Sequence, residues 1–277
     1  MTEQQNGRAP QRKVAIVVPM SSRAELFPDE EISLRHLTHY LGKYDKYLVV
    51  PEGLAIDRPG FRLARFAPHY FGSARANTRL MLSRELYQRF HNYEYMLVYH
   101  LDALVFSDEL EQWCASGYDY IGPPWLVTED TPWVKTPGVG NGGFCLRRIA
   151  SCLQVLESPR YAVEPEEYWR RYKAKTPDRL TQLVNYPRKY IKRLHPFNNV
   201  QREVGNFNSN EDKFWSFRAQ HYMPDFKIAP VPTALRFGFE GSPRTCFEKN
   251  NYQLPFGCHA WPKYDRAFWE PHLLQVN

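Results

Sequence analysis

The sequence predicts an α/β fold in which helices flank a mostly parallel β-sheet. Two continuous apolar segments, residues 14–18 and 95–99, have the composition of strands that are buried on both faces. Segments with apolar residues at helical spacing alternate with predicted strands along the first half of the chain. In open α/β sheets ligands bind beyond the carboxyl ends of the strands, so the loops after these two strands are candidate binding positions.

The first half of the chain contains a strand–helix–strand unit followed by a second helix and the strongest strand. After the strand at residues 14–18, a helix is predicted to begin near Pro28, and residues 47–50 form the next strand. One long helix is predicted from residue 74 to residue 90, ahead of the strand at residues 95–99.

The second half of the chain is less regular. A short strand is predicted at residues 119–122, and a glycine-rich turn at residues 138–143 precedes another apolar segment. Residues 164–202 are rich in basic and aromatic side chains and show helical periodicity that Pro187 interrupts, which predicts an inserted pair of helices. We expect a disordered tail at residues 1–12, one domain at 13–265 and a C-terminal tail at 266–277.

The composition is that of a globular protein with an excess of aromatic residues and of positive charge. Aromatic residues make up 15% of the chain, and their faces suit sugars and nucleobases as well as protein cores. The net charge of +6 favours an anionic partner, such as nucleic acid, a phosphorylated ligand or an acidic membrane surface. The five scattered cysteines lack CxxC spacing, which favours reduced thiols over a disulfide framework or a zinc knuckle.

Localisation is predicted from hydropathy. The first residues are polar, and no later segment has the roughly 18 consecutive apolar residues that span a bilayer. We therefore expect a cytoplasmic protein, with peripheral contact at the inner membrane face as a further possibility.

Four short polar motifs follow one another in an informative order. They are His100-Leu101-Asp102, Gly140-Asn141-Gly142-Gly143, Asn210-Glu211-Asp212 and Gly257-Cys258-His259. This order resembles that of the GT-A glycosyltransferases, in which a strand ends in a DxD motif and is followed by a glycine loop, an xED motif and a late metal-binding histidine. The resemblance covers roughly residues 14–261.

A closer resemblance is to a bacterial family first known only as a domain of unknown function and since grouped with the GT-A enzymes. It is carried by the segments YMLVYHLDALVFSDEL, DYIGPPW, VGNGGFCLRR, NEDKFW and LPFGCHAW. The resemblance implies a Rossmann-like GT-A sheet and a hexosyltransferase-like enzyme of bacterial glycan and polysaccharide biosynthesis. Such an enzyme moves a sugar from a nucleotide-sugar donor to a hydroxyl of a glycan or a lipid-linked glycan.

A divalent cation, Mn²⁺ or Mg²⁺, is the cofactor that this resemblance implies. Asp102 and His259 are its expected ligands beside the donor diphosphate. His100 replaces the first acid of the DxD motif, so it is a third candidate ligand and also puts the need for a cation in question. Imidazole suits Mn²⁺ better than Mg²⁺. The alternatives are that Asp102 caps a helix and that His259 has a structural role.

The xED motif supplies the candidate catalytic residues. By resemblance, Asp212 is the general base that removes the acceptor hydroxyl proton, and Glu211 orients it or holds the acceptor. A base placed in this way implies inversion at the anomeric carbon. The alternative is that both acids only favour the start of a helix, where the macrodipole attracts negative charge.

Further candidates surround these motifs. For the acceptor sugar they are Trp125, Asn141, Gly142, Gly143 and Trp261, and for the donor nucleotide they are Ser21, Glu52, Arg75 and Asn77 together with Asp102. The alternatives are an ordinary turn for the glycine motif and core packing for each tryptophan.

The basic insertion and the overall function also have alternatives. The insertion would contact anionic lipid or a phosphorylated acceptor, or it is only a solvated helix face. Two other function classes fit the same motifs: a metal-dependent phosphoesterase, and a non-catalytic module that binds a nucleotide or sugar. Nucleic-acid binding lacks any supporting motif, so no nucleic-acid partner is expected.

Overall fold

The computed structural model describes residues 12–275, and its strands form one large and two small sheets. The strands are β1 (Arg12–Pro19), β2 (Asp45–Pro51), β3 (Arg62–Phe66), β4 (Tyr93–Tyr99), β5 (Leu104–Val105), β6 (Tyr120–Ile121), β7 (Pro124–Trp125), β8 (Gly138–Val139), β9 (Phe144–Arg148), β10 (Gly238–Phe239) and β11 (Gly257–Cys258).

Helices cover the sheets and form the insertion. They are α1 (Pro28–Leu41), α2 (Ala74–Met81), α3 (Arg84–Arg89), α4 (Leu110–Ala115), α5 (Ile149–Leu156), α6 (Pro165–Lys175), α7 (Arg179–Asn185), α8 (Pro187–Arg193), α9 (Val200–Gly205), α10 (Glu211–Phe217), α11 (Ala219–Tyr222), α12 (Val231–Phe237), α13 (Pro243–Lys249) and α14 (Arg266–Trp269). Short 3₁₀ turns occupy Pro68–Tyr70, His195–Phe197 and Glu270–His272. Within residues 12–275, none of the helices has the length and apolarity needed to cross a bilayer.

The strands of the large sheet follow the order β3-β2-β1-β4-β9-β6. Strands β1 to β4 are mutually parallel where they pair, and β9 runs antiparallel to both β4 and β6. This is the mixed, mostly parallel sheet flanked by helices that the sequence predicts, so the fold class is confirmed. Because Val17 is in register with Val98, the loops that follow β1 and β4 leave the sheet at the same edge.

The two faces of the sheet are buried under separate apolar clusters. Along β1, Val14, Ile16 and Val18 belong to one cluster, whereas Ala15 and Val17 belong to the other. Side chains alternate across a strand, so a continuous apolar segment is the pattern expected for a strand covered on both faces. Because both faces of the sheet are covered, polar loops can gather only at the ends of its strands.

Two helical predictions need correction. The helix predicted at residues 74–90 is divided into α2 and α3, because the Ser83 side chain accepts a hydrogen bond from the Leu86 N–H at 3.1 Å and caps a new helix. The insertion contains α6, α7 and α8 rather than a pair of helices. Asp178 caps the start of α7, and Pro187 begins α8.

The predicted chain boundaries also change. Arg12 is already part of β1 and pairs with Tyr93, while residues 1–11 of the expected tail lie outside the described residues. At the other end, Trp269 of α14 is fully buried, and its ring stacks on Phe106 with a centroid distance of 5.5 Å. The packed chain therefore continues past residue 265, because a large aromatic side chain anchors the segment that was expected to be a tail.

Candidate functional site

Two adjacent cavities lie at the edge of the sheet where β1 and β4 end. The larger, about 570 Å³, is bordered by Ser21 and Asp102, and the smaller, about 170 Å³, is bordered by Asp212 and His259. Both are lined by Ala74, Asn77 and His100. Side chains from distant parts of the chain therefore surround one cleft.

His259 lies between two carboxylates. Its Nε2 atom is 3.2 Å from Asp102 Oδ1, and its Nδ1 atom is 3.1 Å from Glu240 Oε1. Burial lowers the pKa of His259, but the two carboxylates outweigh burial and raise the pKa to about 10. The same contact acts on Asp102, where burial raises the pKa but the His259 charge and hydrogen bond hold it well below its usual value.

His100 completes a group of three possible cation ligands. One ligand atom from each of His100, Asp102 and His259 lies within 4.8 Å of the other two. Burial, and then the charge of His259, lowers the pKa of His100, which favours a neutral imidazole. Its buried Nε2 atom has no hydrogen-bond partner among residues 12–275. The two imidazoles and one carboxylate are therefore close enough together to bind one cation.

The small sheet β10-β11-β5 explains why these side chains meet. Glu240 directly follows β10 and His259 directly follows β11, and these two strands pair in parallel. The His259 N–H donates to the Phe239 carbonyl at 2.9 Å, and the Trp261 N–H donates to the Asp102 carbonyl at 3.1 Å. Glu240 is not among the predicted site residues, because the two-residue strand β10 that positions it is too short to show a pattern in the sequence.

The glycine motif forms the wall between the cation ligands and the acids of α10. The Asn141 backbone has a φ of 66°, a left-handed conformation that asparagine tolerates, and its side chain accepts the Gly143 N–H at 3.1 Å. A Cβ atom on Gly142 would lie 1.7 Å from Glu211 Oε1, and one on Gly143 would lie 2.0 Å from His259 Nε2. Glycine at both positions lets the loop approach side chains from α10 and from the segment after β11.

We expect Gly142→Ala to lower the free energy of unfolding by about 1–3 kcal/mol, because the added methyl group collides with a buried carboxylate that has little room to move. Urea unfolding measures the change. Gly205→Ala is the matched control, and it should be neutral or slightly stabilising. Apart from its chain neighbours and the backbone of its own helix, no atom of residues 12–275 lies within 4 Å of a Cβ at that position. Equal effects of the two changes would contradict the close approach.

The Glu211 carboxylate forms a salt bridge with a buried arginine. Its Oε1 atom is 3.1 Å from a guanidinium nitrogen of Arg147, whose side chain has no exposed surface. Arg147 also donates to the Tyr87 hydroxyl at 2.9 Å and to the Cys145 sulfur at 3.1 Å. The contact fixes the first turn of α10 under the glycine motif. Arg147 is not among the predicted site residues, because the sequence around an arginine in a strand does not show whether that arginine is buried.

Asp212 is the acid of α10 with a strongly shifted pKa. Burial, followed by the nearby Glu211, raises its pKa to about 7. One oxygen, Oδ1, accepts the Lys213 N–H at 2.7 Å. An acid with this pKa exchanges its proton near neutral pH, which is the property required of a general base.

The structure places four of the predicted site residues elsewhere. Trp261 is fully buried and Trp125 is 4% exposed, so neither offers a free face to a sugar, and the alternative of core packing applies to both. Glu52 and Arg75 are exposed and line neither cavity.

The remaining predicted residues border the cleft. The larger cavity is lined by Ser21, Asn77, His100 and Asp102, and the smaller by Asn77, His100, Asn141, Gly142, Gly143, Glu211, Asp212 and His259. Asp102 precedes the short strand β5 rather than a helix, so the alternative of a helix cap does not apply to it.

Comparisons with known proteins give a family and several similar structures. The family described as protein of unknown function (DUF5672) matches residues 60–259, which is more than half of the chain. No curated protein matches the sequence.

Three of the similar solved structures are described as transferases. They are the apo-form glycosyltransferase GlyE of Streptococcus pneumoniae TIGR4 (12% identity, TM-score 0.43), a glycosyltransferase involved in glycosylation of the major capsid of PBCV-1 (10% identity, TM-score 0.42) and the galactosyltransferase LgtC in complex with donor and acceptor sugar analogs (12% identity, TM-score 0.47). The matches cover 95%, 94% and 95% of this chain and 61%, 98% and 97% of those chains. The chain therefore spans 61% of the length of GlyE.

Proposed function

The chain belongs to the DUF5672 family, and we propose that it is a glycosyltransferase that moves a sugar from a nucleotide-sugar donor to an acceptor hydroxyl. One observation carries the proposal. A half-buried acid with a pKa of about 7, Asp212, borders the same small cavity as His100 and His259. A proton acceptor and a candidate site for a charged leaving group thus lie side by side.

The donor would occupy the larger cavity. This cavity lies beyond the carboxyl ends of β1 and β4, where α/β sheets bind nucleotides. Ser21 and Asn77 line it, and the amino end of α2 adds the partial positive charge that favours a diphosphate. Asp102 lines this cavity, and His100 lines both cavities, so a diphosphate bound here would lie next to the cavity that the acids of α10 border.

The residues fit a divalent cation. His100, Asp102 and His259 would hold it, since they supply two imidazole nitrogens and one carboxylate, and the His100 Nε2 atom has no hydrogen-bond partner in the part of the chain that the structure describes. Two imidazoles favour Mn²⁺ over Mg²⁺. Bound there, such an ion would offset the negative charge that develops on the departing diphosphate. Because ligands must be deprotonated, binding would displace the proton held by His259.

The transfer step is a single displacement. Asp212 accepts the proton of the acceptor hydroxyl through Oδ2, because Oδ1 already accepts the Lys213 N–H. The hydroxyl oxygen forms a bond to the anomeric carbon as the bond from that carbon to the diphosphate breaks, and nucleoside diphosphate leaves. One displacement inverts the anomeric carbon. Glu211, held by Arg147, is a positioning residue in this scheme.

An exposed aromatic surface offers the acceptor a place to bind. Trp133 and Phe217 are 52% and 64% exposed, and both rings pack against the buried Trp125. The ammonium group of Lys213, the residue after Asp212, lies 4.8 Å from the centre of the Trp133 ring. This surface adjoins the proposed base, so it replaces Trp125 and Trp261 as the proposed contact for a glycan or lipid-linked glycan.

The pH dependence of transfer follows from Asp212. Since burial raises its pKa to about 7, the base is protonated and inactive below that value and free above it. We expect kcat/KM to fall about tenfold per pH unit at pH below about 6 and to level off above about pH 8. Donor binding measured over the same range controls for loss of the complex. A profile that stays flat between these values would contradict the role of Asp212.

The direct test is an assay with a panel of nucleotide sugars and bacterial glycan acceptors, with and without Mn²⁺. Acceptor-dependent release of nucleoside diphosphate supports the proposal, and NMR of the product shows whether the anomeric carbon is inverted. Cleavage of phosphodiesters without an acceptor would instead indicate a phosphoesterase. Binding of nucleotide sugars without turnover would indicate a non-catalytic module. The setting in bacterial polysaccharide synthesis is proposed from the motif resemblance alone.

A further inference from the structure

The insertion exposes large apolar side chains that the helical pattern alone would place in a core. On α7, Leu180, Leu183 and Val184 are between 69% and 72% exposed. On and just after α8, Tyr190, Ile191 and Leu194 are between 50% and 52% exposed. We call these six residues the insertion face. Clusters of this kind on a protein surface mark sites of interaction.

The insertion face is one stripe rather than two. Tyr186, between α7 and α8, keeps helical dihedral angles (φ −54°, ψ −38°), so the helical course continues from one helix into the next. Along such a course, Leu180, Val184, Ile191 and Leu194 are separated by three, four or seven residues and lie on the same side. The stripe therefore runs the length of both helices.

Basic side chains border this stripe. Helical geometry at 100° per residue places Arg179 and Arg188 roughly 80–100° to either side of its centre. Neither forms an ion pair with an acid among residues 12–275, whereas Lys189 and Arg193, on the opposite side, pair with Glu166 of α6. The arrangement is that of an interfacial helix, with an apolar stripe and free cations along its edges.

We propose that the insertion face binds the surface of an anionic lipid bilayer, with its apolar stripe at the level of the headgroups and its flanking arginines on lipid phosphates. Residues 176–197 contain one acid and five basic residues, which are Asp178, Arg179, Arg188, Lys189, Lys192 and Arg193. A second copy of the chain would bring the same positive charge against itself, which opposes pairing through this face. An anionic bilayer satisfies both the charge and the apolar stripe.

Vesicle flotation with the full chain tests this inference, which does not depend on the proposed sugar transfer. We expect binding to vesicles of equal parts phosphatidylglycerol and phosphatidylcholine, and much weaker binding to phosphatidylcholine alone. The double change Leu180→Asp and Val184→Asp should reduce partitioning about tenfold or more. Arg179→Gln and Arg188→Gln should each reduce it about fivefold at low salt.

Val127→Asp is the matched control, because Val127 is 60% exposed and lies outside the insertion; it should leave vesicle binding unchanged. All of these side chains are exposed, so thermal unfolding should confirm that every variant folds. Absence of wild-type binding to the anionic vesicles would overturn the proposal, as would undiminished binding of the double aspartate variant. Self-association that the double variant abolishes, without vesicle binding, would assign the face to a second copy instead.

Discussion

Replacing Asp212 with asparagine is expected to lower the rate of sugar transfer by about 10²–10⁴-fold while donor affinity changes little. Asparagine keeps the shape of the side chain, and its carbonyl oxygen can still accept the Lys213 N–H that now bonds to Oδ1 at 2.7 Å. What it loses is the capacity to take a proton. Because the base acts mainly in the transition state, the loss should fall on kcat rather than on the donor dissociation constant.

A stability measurement separates this loss from misfolding. The pKa of Asp212 is raised to about 7 in the folded protein, so its favourable contribution is complete below the unfolded value near 3.8 and is lost as pH rises through about 7. At pH 8, Asp212→Asn should therefore be at least as stable as the wild type. Asp225→Asn, at an exposed position, is the control for activity. Full activity of Asp212→Asn would remove this residue from the mechanism.

The parts of the fold that sequence can predict are those with a local pattern. Strands β1 and β4 are continuous apolar segments, and a segment buried on both faces needs no knowledge of its neighbours to be recognised. Their shared carboxyl edge follows from parallel pairing. The grouping of Asp102, Asp212 and His259 is different, because only the order of motifs, and not any spacing, connects residues so far apart along the chain.

The missed features depend on contacts that no local pattern encodes. Glu240 reaches His259 through β10 and β11, strands of two residues each that have no periodicity. Trp125 and Trp261 differ from Trp133 only in burial, which a tryptophan in a sequence does not reveal.

In the insertion, the sequence does not reveal that apolar side chains are exposed. The helical spacing of Leu180, Leu183 and Val184 places them on one side of a helix, but spacing does not show whether that side contacts a core or the solvent. In this chain the other side packs toward α6, where Lys189 bonds to Glu166. The apolar side is left exposed and becomes a candidate for interaction.

Arg147→Met is expected to lower the free energy of unfolding by about 3–5 kcal/mol, because it leaves the buried Glu211 carboxylate without its partner. The adjacent Arg148→Met is a matched control. The Arg148 side chain is 35% exposed and pairs with the part-exposed Glu94. The buried Asp119, 3.8 Å from Arg148, keeps hydrogen bonds from the Ser151 hydroxyl and the Lys227 N–H, so loss of Arg148 should cost about 0–1 kcal/mol. Urea unfolding of both variants at the same pH gives the comparison.

Adding Glu211→Gln to Arg147→Met should restore part of the lost stability, because a neutral amide is cheaper to bury than an unpaired carboxylate. The single and double variants together measure the coupling between the two residues. If Arg147→Met and Arg148→Met lowered the free energy of unfolding by equally small amounts, the Arg147–Glu211 pair would not be what fixes the first turn of α10. The position of Asp212 in the cleft would then depend on the packing of Phe214 and Trp215 into the core, both of which are fully buried on the same helix.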